Sequence, residues 1–226
     1  ENEGDLVIPA SKINAKKINF MAKHGRGLIC LALTQEKVKK LKLPLMSLIN
    51  KSRTQTAFTV SIEEKKGIST GISAYDRAKT IKVAIKNSSG SKDIVSPGHV
   101  FPLVSKNGGV LERAGHTEAS VDISKLAKLN PSAVICEVMN EDGTMARYND
   151  LVPFSKKHNL KIAKIEDLIS YRLKNEKFIK MISNRKINIK KFGNYDLKVF
   201  KNKLDGAEHY ALTSKNFSYR KSPRVR

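Results

Sequence analysis

The chain has 226 residues, room for one large domain or for one domain and part of a second. Apolar residues make up 40 % of it, enough for a core, and no run of 18 apolar residues offers a membrane span. The net charge of +22 suggests a nucleic-acid or polyanion partner. The excess, however, is mostly lysine, spread singly, with no arginine-rich tract and little aromatic interleaving, so a lysine-biased composition explains it and no specific nucleic-acid partner is expected. Residues 169–226 hold 16 Lys and Arg against 4 Asp and Glu. The first ten residues are acidic and lack the basic and apolar regions of a secretory signal. Cys30 and Cys136 sit in apolar runs and read as reduced core cysteines of a cytoplasmic protein.

In chain order, residues 6–10 predict a short strand. Ser11 is placed to cap a helix carrying Ile13, Ile18 and Met21, which Gly25 ends. Leu28–Leu33 is an apolar run of strand length, and Thr34 caps a short basic helix that stops before Pro44. Residues 46–55 are polar and unpatterned and read as a mobile loop. Ala57–Ile62 alternates weakly as a strand, and Ala74–Ile85 predicts a helix. Asn87–Ser91 is a turn, and Val100–Val104 and Val110–Glu112 read as strands around the turn at Asn107–Gly109. Thr117–Leu126 predicts a helix, Ala133–Met139 a buried strand, and Asn140–Gly143 a turn. Pro153–His158, Lys161–Ile165 and Glu166–Leu173 read as helix, strand and helix. Beyond about Leu173, Phe178–Ile189, Tyr195–Phe200 and His209–Leu212 read as lysine-rich strands. The alternation of strands and helices places the class as α/β or α+β, between which periodicity does not choose.

Several stretches carry candidate chemistry. Glu1, Glu3 and Asp5 put three carboxylates within five residues, which is either a solvated acidic terminus or the oxygen-rich ligand set of a hard divalent cation. Arg113-Ala-Gly-His-Thr-Glu-Ala119 gathers a cation, a flexible glycine, an imidazole and a hydroxyl placed to cap a helix. A small phosphorylated, metal-chelating ligand needs such a set, with its phosphate at the helix N-terminus. Glu137 lies within the apolar run Val134–Val138, where a carboxylate is costly unless paired or functional; a solvent-facing strand end is the plainer reading. His99, between Gly98 and Val100, reads either as a turn histidine or as a proton-transfer group near neutral pH. Thr70, Ser73, Asp76 and Arg77 follow a strand and read as a helix cap with an exposed Asp-Arg pair, or as a binding segment.

Glu1-Asn-Glu-Gly-Asp5, Ser69–Arg77, Pro97–Pro102 and Arg113–Thr117, in this order and spacing, closely resemble the 3,4-dihydroxy-2-butanone 4-phosphate synthases of riboflavin biosynthesis. The resemblance runs from Glu1 to about Arg172. It implies an α+β fold with a mixed sheet covered by helices. It implies a lyase that converts D-ribulose 5-phosphate to L-3,4-dihydroxybutan-2-one 4-phosphate and formate. In that family Glu1 and His116 match the metal ligands, for Mg2+ or Mn2+, and His99 and Glu137 match essential catalytic positions. Glu1, Asp5, Arg113, Ala114, Gly115, His116 and Thr117 match the substrate-binding residues. The family is a homodimer. Phe192-Gly-Asn-Tyr195 and Lys203–His209 resemble the opening of GTP cyclohydrolase II, which often follows the synthase domain in fused proteins.

The expected organisation is therefore a synthase domain over 1–173 and a partial cyclohydrolase-like, β-rich segment over 174–226. No cysteine follows Cys136, so that segment lacks the family's zinc ligands and is not expected to turn over GTP. An acidic loop and an arginine that precede Glu1 in the family are not in this sequence, and the chain is expected to be a piece cut at both ends. A catalytically inactive fragment acting as a binding module is the alternative, and a basic nucleic-acid-binding protein a more distant one.

Overall fold

The computed structural model describes residues 3–47 and 49–214. Five short strands with apolar side chains form one mixed sheet in the order β1-β5-β2-β4-β3. They are β1 (Asp5–Pro9), β2 (Cys30–Leu33), β3 (Ile62–Glu64), β4 (Ile94–Val104) and β5 (Ser132–Glu137). β5 runs antiparallel to both β1 and β2, β2 runs parallel to β4, and β3 is antiparallel to β4. The class is thus α+β with a mixed sheet, as the family resemblance implies.

Side chains alternate across a strand, so each strand feeds two layers. Leu31, Leu33, Val100, Val134 and Cys136 enter the larger layer. Ile18 of α1 (Ala15–Phe20), Val38 and Leu41 of α2 (Gln35–Leu41), and Ala78, Ile81, Ala84 and Ile85 of α3 (Ala74–Ile85) complete it. The α3 set recurs at helical spacing, which is why that helix is legible from its sequence. Cys30, Leu103 and Ile135 point to the opposite face, with Phe58 and Phe101 beside them. Helix α4 (His116–Leu126) packs on β1, β2 and β5.

The chain divides into two compact units, Glu1–Ser170 and Tyr171–Arg226. Helices α5 (Tyr148–Lys157) and α6 (Ile165–Asn175) follow β5 in sequence. In the second unit β6 (Ile179–Ile189), β7 (Gly193–Asn202) and β8 (Glu208–Ser214) form an antiparallel meander. Lysine and arginine recur along β6 and β7, and the meander is the β-rich segment expected.

Five local expectations need correction. The cap of α1 is Asn14, whose side chain accepts from Lys17 N, while Ser11 lies in a 3-10 turn over Ala10–Lys12. Regular pairing in the third strand starts only at Ile62, because Thr59 N donates to Pro102 O and Pro102 has no N–H to return. Val110 lies in a 3-10 turn over Gly109–Leu111, where Val110 N donates to Asp122 Oδ2 at 2.8 Å. Residues 161–164 form no strand, and Ile162 is left exposed without a pairing partner edge. In addition, α5 begins at Tyr148 rather than Pro153, started by Asp150, whose carboxylate accepts from Arg147 N at 2.9 Å.

Candidate active site

Strand register brings the site together. Asp5, first residue of β1, pairs with Glu137, last residue of β5. Two carboxylates on directly opposite positions repel, so this pairing is destabilising by itself. Leu28 N donates to Glu137 Oε2 at 2.8 Å and fixes that side chain. The approach is close: a Cβ on Gly27 would lie 2.5 Å from Glu137 O and 2.6 Å from Glu137 Oε2. Only glycine leaves room for this carboxylate.

Helix α4 aims its first residue at the same place. His116 Nδ1 lies 3.5 Å from Asp5 Oδ1. The Asp5 side chain is only 7 % exposed. Its carboxyl is pushed up to about 6, chiefly by burial; His116 opposes the shift, and Glu137 and Glu3 reinforce it. Glu3 is itself held by Arg147, with 3.2 Å between Oε1 and NH1. Asp5 thus lies within electrostatic reach of two carboxylates, Glu137 and Glu3, and of one imidazole, His116.

Arg113 is anchored rather than loose. Its NH1 donates to Glu118 Oε2 at 2.6 Å, and Glu118 is fully buried. Its NH2 donates to Thr54 O and Thr56 Oγ1, and Glu118 Oε1 accepts from Lys106 N. Ala114 is exposed and leads to Gly115, which is the N-cap of α4. Thr117 is therefore not the cap. It sits one residue inside the helix, buried, because Gly115 already adopts the extended cap conformation and Ala119 N closes the first turn on Gly115 O. The N–H groups ahead of that bond have no carbonyl four residues earlier in the helix to take, and they favour anions.

His99 lies in β4, not in a turn, and its Nδ1 contacts Glu63 Oε1. Cys30 of β2 pairs with Ile135 on one side and Phe101 on the other. Glu137 lies two residues beyond Ile135 and His99 two residues before Phe101, so the two candidates stand at the same end of the sheet, on the strands that flank β2. Asp76 departs from the exposed pair expected with Arg77: it is buried and accepts from Ser69 N, Ser69 Oγ and Gly71 N. These bonds hold its carboxyl below the usual range, the Ser69 hydroxyl foremost. Ser73 caps α3, as expected, by accepting from Asp76 N. Both cysteines are buried and free, and burial pushes their thiols well up, Cys136 to about 12, so neither offers a thiolate. Glu1 lies outside the described residues. Glu63 and Gly27 escape sequence reasoning because their partners lie elsewhere along the chain, and Glu118, though inside the Arg113–Ala119 stretch, gives no sign there of being buried against Arg113.

The donor set suits a hard divalent cation. His116 offers an imidazole beside the Asp5 carboxylate, and Mg2+ takes one or two protein ligands and fills its remaining positions with water or substrate oxygens. Among the described residues no three His, Cys, Asp or Glu side chains close a complete cage.

Residues 1–171 match the family of 3,4-dihydroxy-2-butanone 4-phosphate synthase. The chain belongs to this family. It is 50 % identical over 216 residues to the 3,4-dihydroxy-2-butanone 4-phosphate synthase of Photobacterium phosphoreum, covering 96 % of this chain and 59 % of that protein. It is 54 % identical to the riboflavin biosynthesis protein RibBA of Aquifex aeolicus, covering 94 % of this chain and 53 % of that one. The chain thus spans little more than half the length of these relatives. Among solved structures, RibBX of A. baumannii, a two-domain synthase, superposes with a TM-score of 0.83 at 47 % identity, covering 95 % of this chain and 63 % of that one. A synthase in complex with two magnesium ions superposes with a TM-score of 0.73 at 38 % identity, covering 77 % of this chain and 87 % of that one.

Two outcomes follow from the site's electrostatics and packing. Gly27→Ala is expected to lower stability by about 1–3 kcal/mol in urea unfolding, because Glu137 must move; wild-type stability would contradict the close approach. Asp5 is raised from 3.8 to about 6, so between these values the folded state holds a proton the unfolded chain has released. Stability of the metal-free protein then falls as pH rises from about 4 to 6 and is level above. Asp5→Asn is expected to raise stability by up to about 3 kcal/mol at pH 7.5 and by little at pH 4. A gain independent of pH would contradict this.

Proposed function

We propose that this chain catalyses the conversion of D-ribulose 5-phosphate to L-3,4-dihydroxybutan-2-one 4-phosphate and formate, in riboflavin biosynthesis. The observation that carries the reading is the convergence of Asp5, Glu137 and His116 on one sheet end, within the stretch that matches the family. Substrate and products balance without an oxidant, so no redox cofactor is needed.

His116 and Glu1 would hold a Mg2+ or Mn2+ ion. When bound, the ion supplies Lewis acidity toward adjacent sugar oxygens. The magnesium complex of the family relative supports this choice. Arg113 and the N-terminus of α4, which contains Gly115, His116 and Thr117, orient the phosphate, with Ala114 giving backbone alone. Prior anchoring of Arg113 by Glu118 fixes its position before substrate arrives, which reduces the ordering cost of binding. Glu137, pinned by Leu28 N and by Gly27, moves protons at the reacting carbons. Asp5, with its carboxyl raised toward neutrality, can give or take a proton at working pH. His99 is the second proton carrier.

We take the synthase domain as 1–173 and 174–226 as a partial segment resembling GTP cyclohydrolase II, without cyclohydrolase activity. That relatives match through 94–96 % of the chain supports its being part of longer two-domain proteins. The protein acts as a homodimer in the cytoplasm. No helix among the described residues is long and apolar enough to cross a membrane.

Formate release from ribulose 5-phosphate tests the reading. It is expected to require Mg2+ and to fall at least 100-fold in His116→Ala. A folded chain that releases no formate under any divalent ion would overturn the proposed activity and favour a binding module.

A further inference from the structure

We propose that Glu63 is the positioning residue of His99, forming with it a carboxylate–imidazole pair that presents one ring nitrogen to the substrate. The proposal rests on the reading of His99 as a proton carrier. Glu63 Oε1 meets His99 Nδ1, across two strands and 36 positions of sequence. The Glu63 side chain is 16 % exposed and that of His99 44 %, so the carboxylate lies behind the ring and the ring faces out.

The backbone around the pair is arranged to hold it. Ile62 pairs with Val100, and the next register step would set Glu63 opposite His99; instead the ladder slips there, and Glu63 pairs with Val95. Residues 96–99 are thereby set out of the regular ladder. Two serine contacts pin this bulge: Ser96 Oγ donates to Ser61 O at 2.7 Å, and Gly98 N donates to Ser61 Oγ at 3.0 Å. Gly71, with a φ of +84°, closes the far side; a Cβ there would collide with Glu63 Oε1 and lie 2.8 Å from His99 Nδ1. Gly71 N in turn donates to buried Asp76. The Ser69–Arg77 segment thus acts as a backstop to the pair, which gives that motif a physical role.

An ionised carboxylate only accepts hydrogen bonds. It therefore keeps the proton on Nδ1, and Nε2 keeps its lone pair and points away. In proton transfer Nε2 takes the substrate's proton and later returns it, while Nδ1–H stays on Glu63, whose charge stabilises the imidazolium formed between the two steps. Without the carboxylate the ring is free to turn and to hold its proton on either nitrogen.

The test compares the full chain with Glu63→Gln, Glu63→Asp and His99→Gln, using formate release and the nitrogen resonances of the His99 ring. Glu63→Gln is expected to lower kcat about 10- to 100-fold with KM within about threefold, and to mix the two ring tautomers. Glu63→Asp, which keeps the charge, is expected to recover part of kcat and the single Nδ1–H tautomer. If His99→Gln is inactive while Glu63→Gln keeps wild-type kcat and tautomer, the positioning role is overturned and the reading of His99 stands. If His99→Gln keeps full activity, the reading of His99 itself fails. Should Glu63→Gln not fold, the tautomer in the wild-type chain decides alone: Nε2–H would overturn the proposal.

Discussion

Carboxylates brought together at one end of a sheet are the constraint on which this site turns. β1 and β5 set Asp5 directly opposite Glu137, Glu3 acts on Asp5 as well, and His116 and Arg147 answer part of that charge. Burial of Asp5 removes the water that would otherwise screen the cluster. The opposed pair costs stability at this end of the sheet. A divalent cation held at such a cluster would offset the repulsion and stabilise the folded chain.

The same logic separates the groups that are fixed early from those left available. Arg113 is locked by buried Glu118, Glu137 by Leu28 N, and His99 by Glu63. Each anchor is a backbone amide or a carboxylate. Side chains held this way keep their geometry when a ligand enters, so less binding energy goes into ordering them. Where two such groups meet backbone, glycine is required: Gly27 beneath Glu137 and Gly71 behind the Glu63–His99 pair.

Local signals made much of this legible. α3 and its cap Ser73 follow from a periodic apolar face and a hydroxyl at its start, and β5 from an unbroken apolar run. The motif residues at 5, 99, 113–117 and 137 could be singled out because charged or imidazole groups interrupt apolar or glycine-rich contexts. What escaped was decided by partners distant in sequence. Glu63 reads as one member of an exposed charge run with Glu64, Lys65 and Lys66, and only the sheet reveals its partner. Thr117 looked like a cap because hydroxyls usually are; Gly115 serves instead. Val110 carries strand propensity, but the Asp122 carboxylate draws its amide into a turn. Residues 161–164 alternate as a strand would, with no sheet edge to join.

Cation affinity is the most direct test of the charge-gathering account. Mn2+ binding can be followed by the paramagnetic resonance of the free ion, for the wild-type chain and for His116→Ala, at pH 7.5 without substrate. Loss of an imidazole from the cluster should weaken binding at least tenfold while leaving the fold intact. Equal affinities in the two proteins would contradict the account, since the converging carboxylates and His116 would then not form one site.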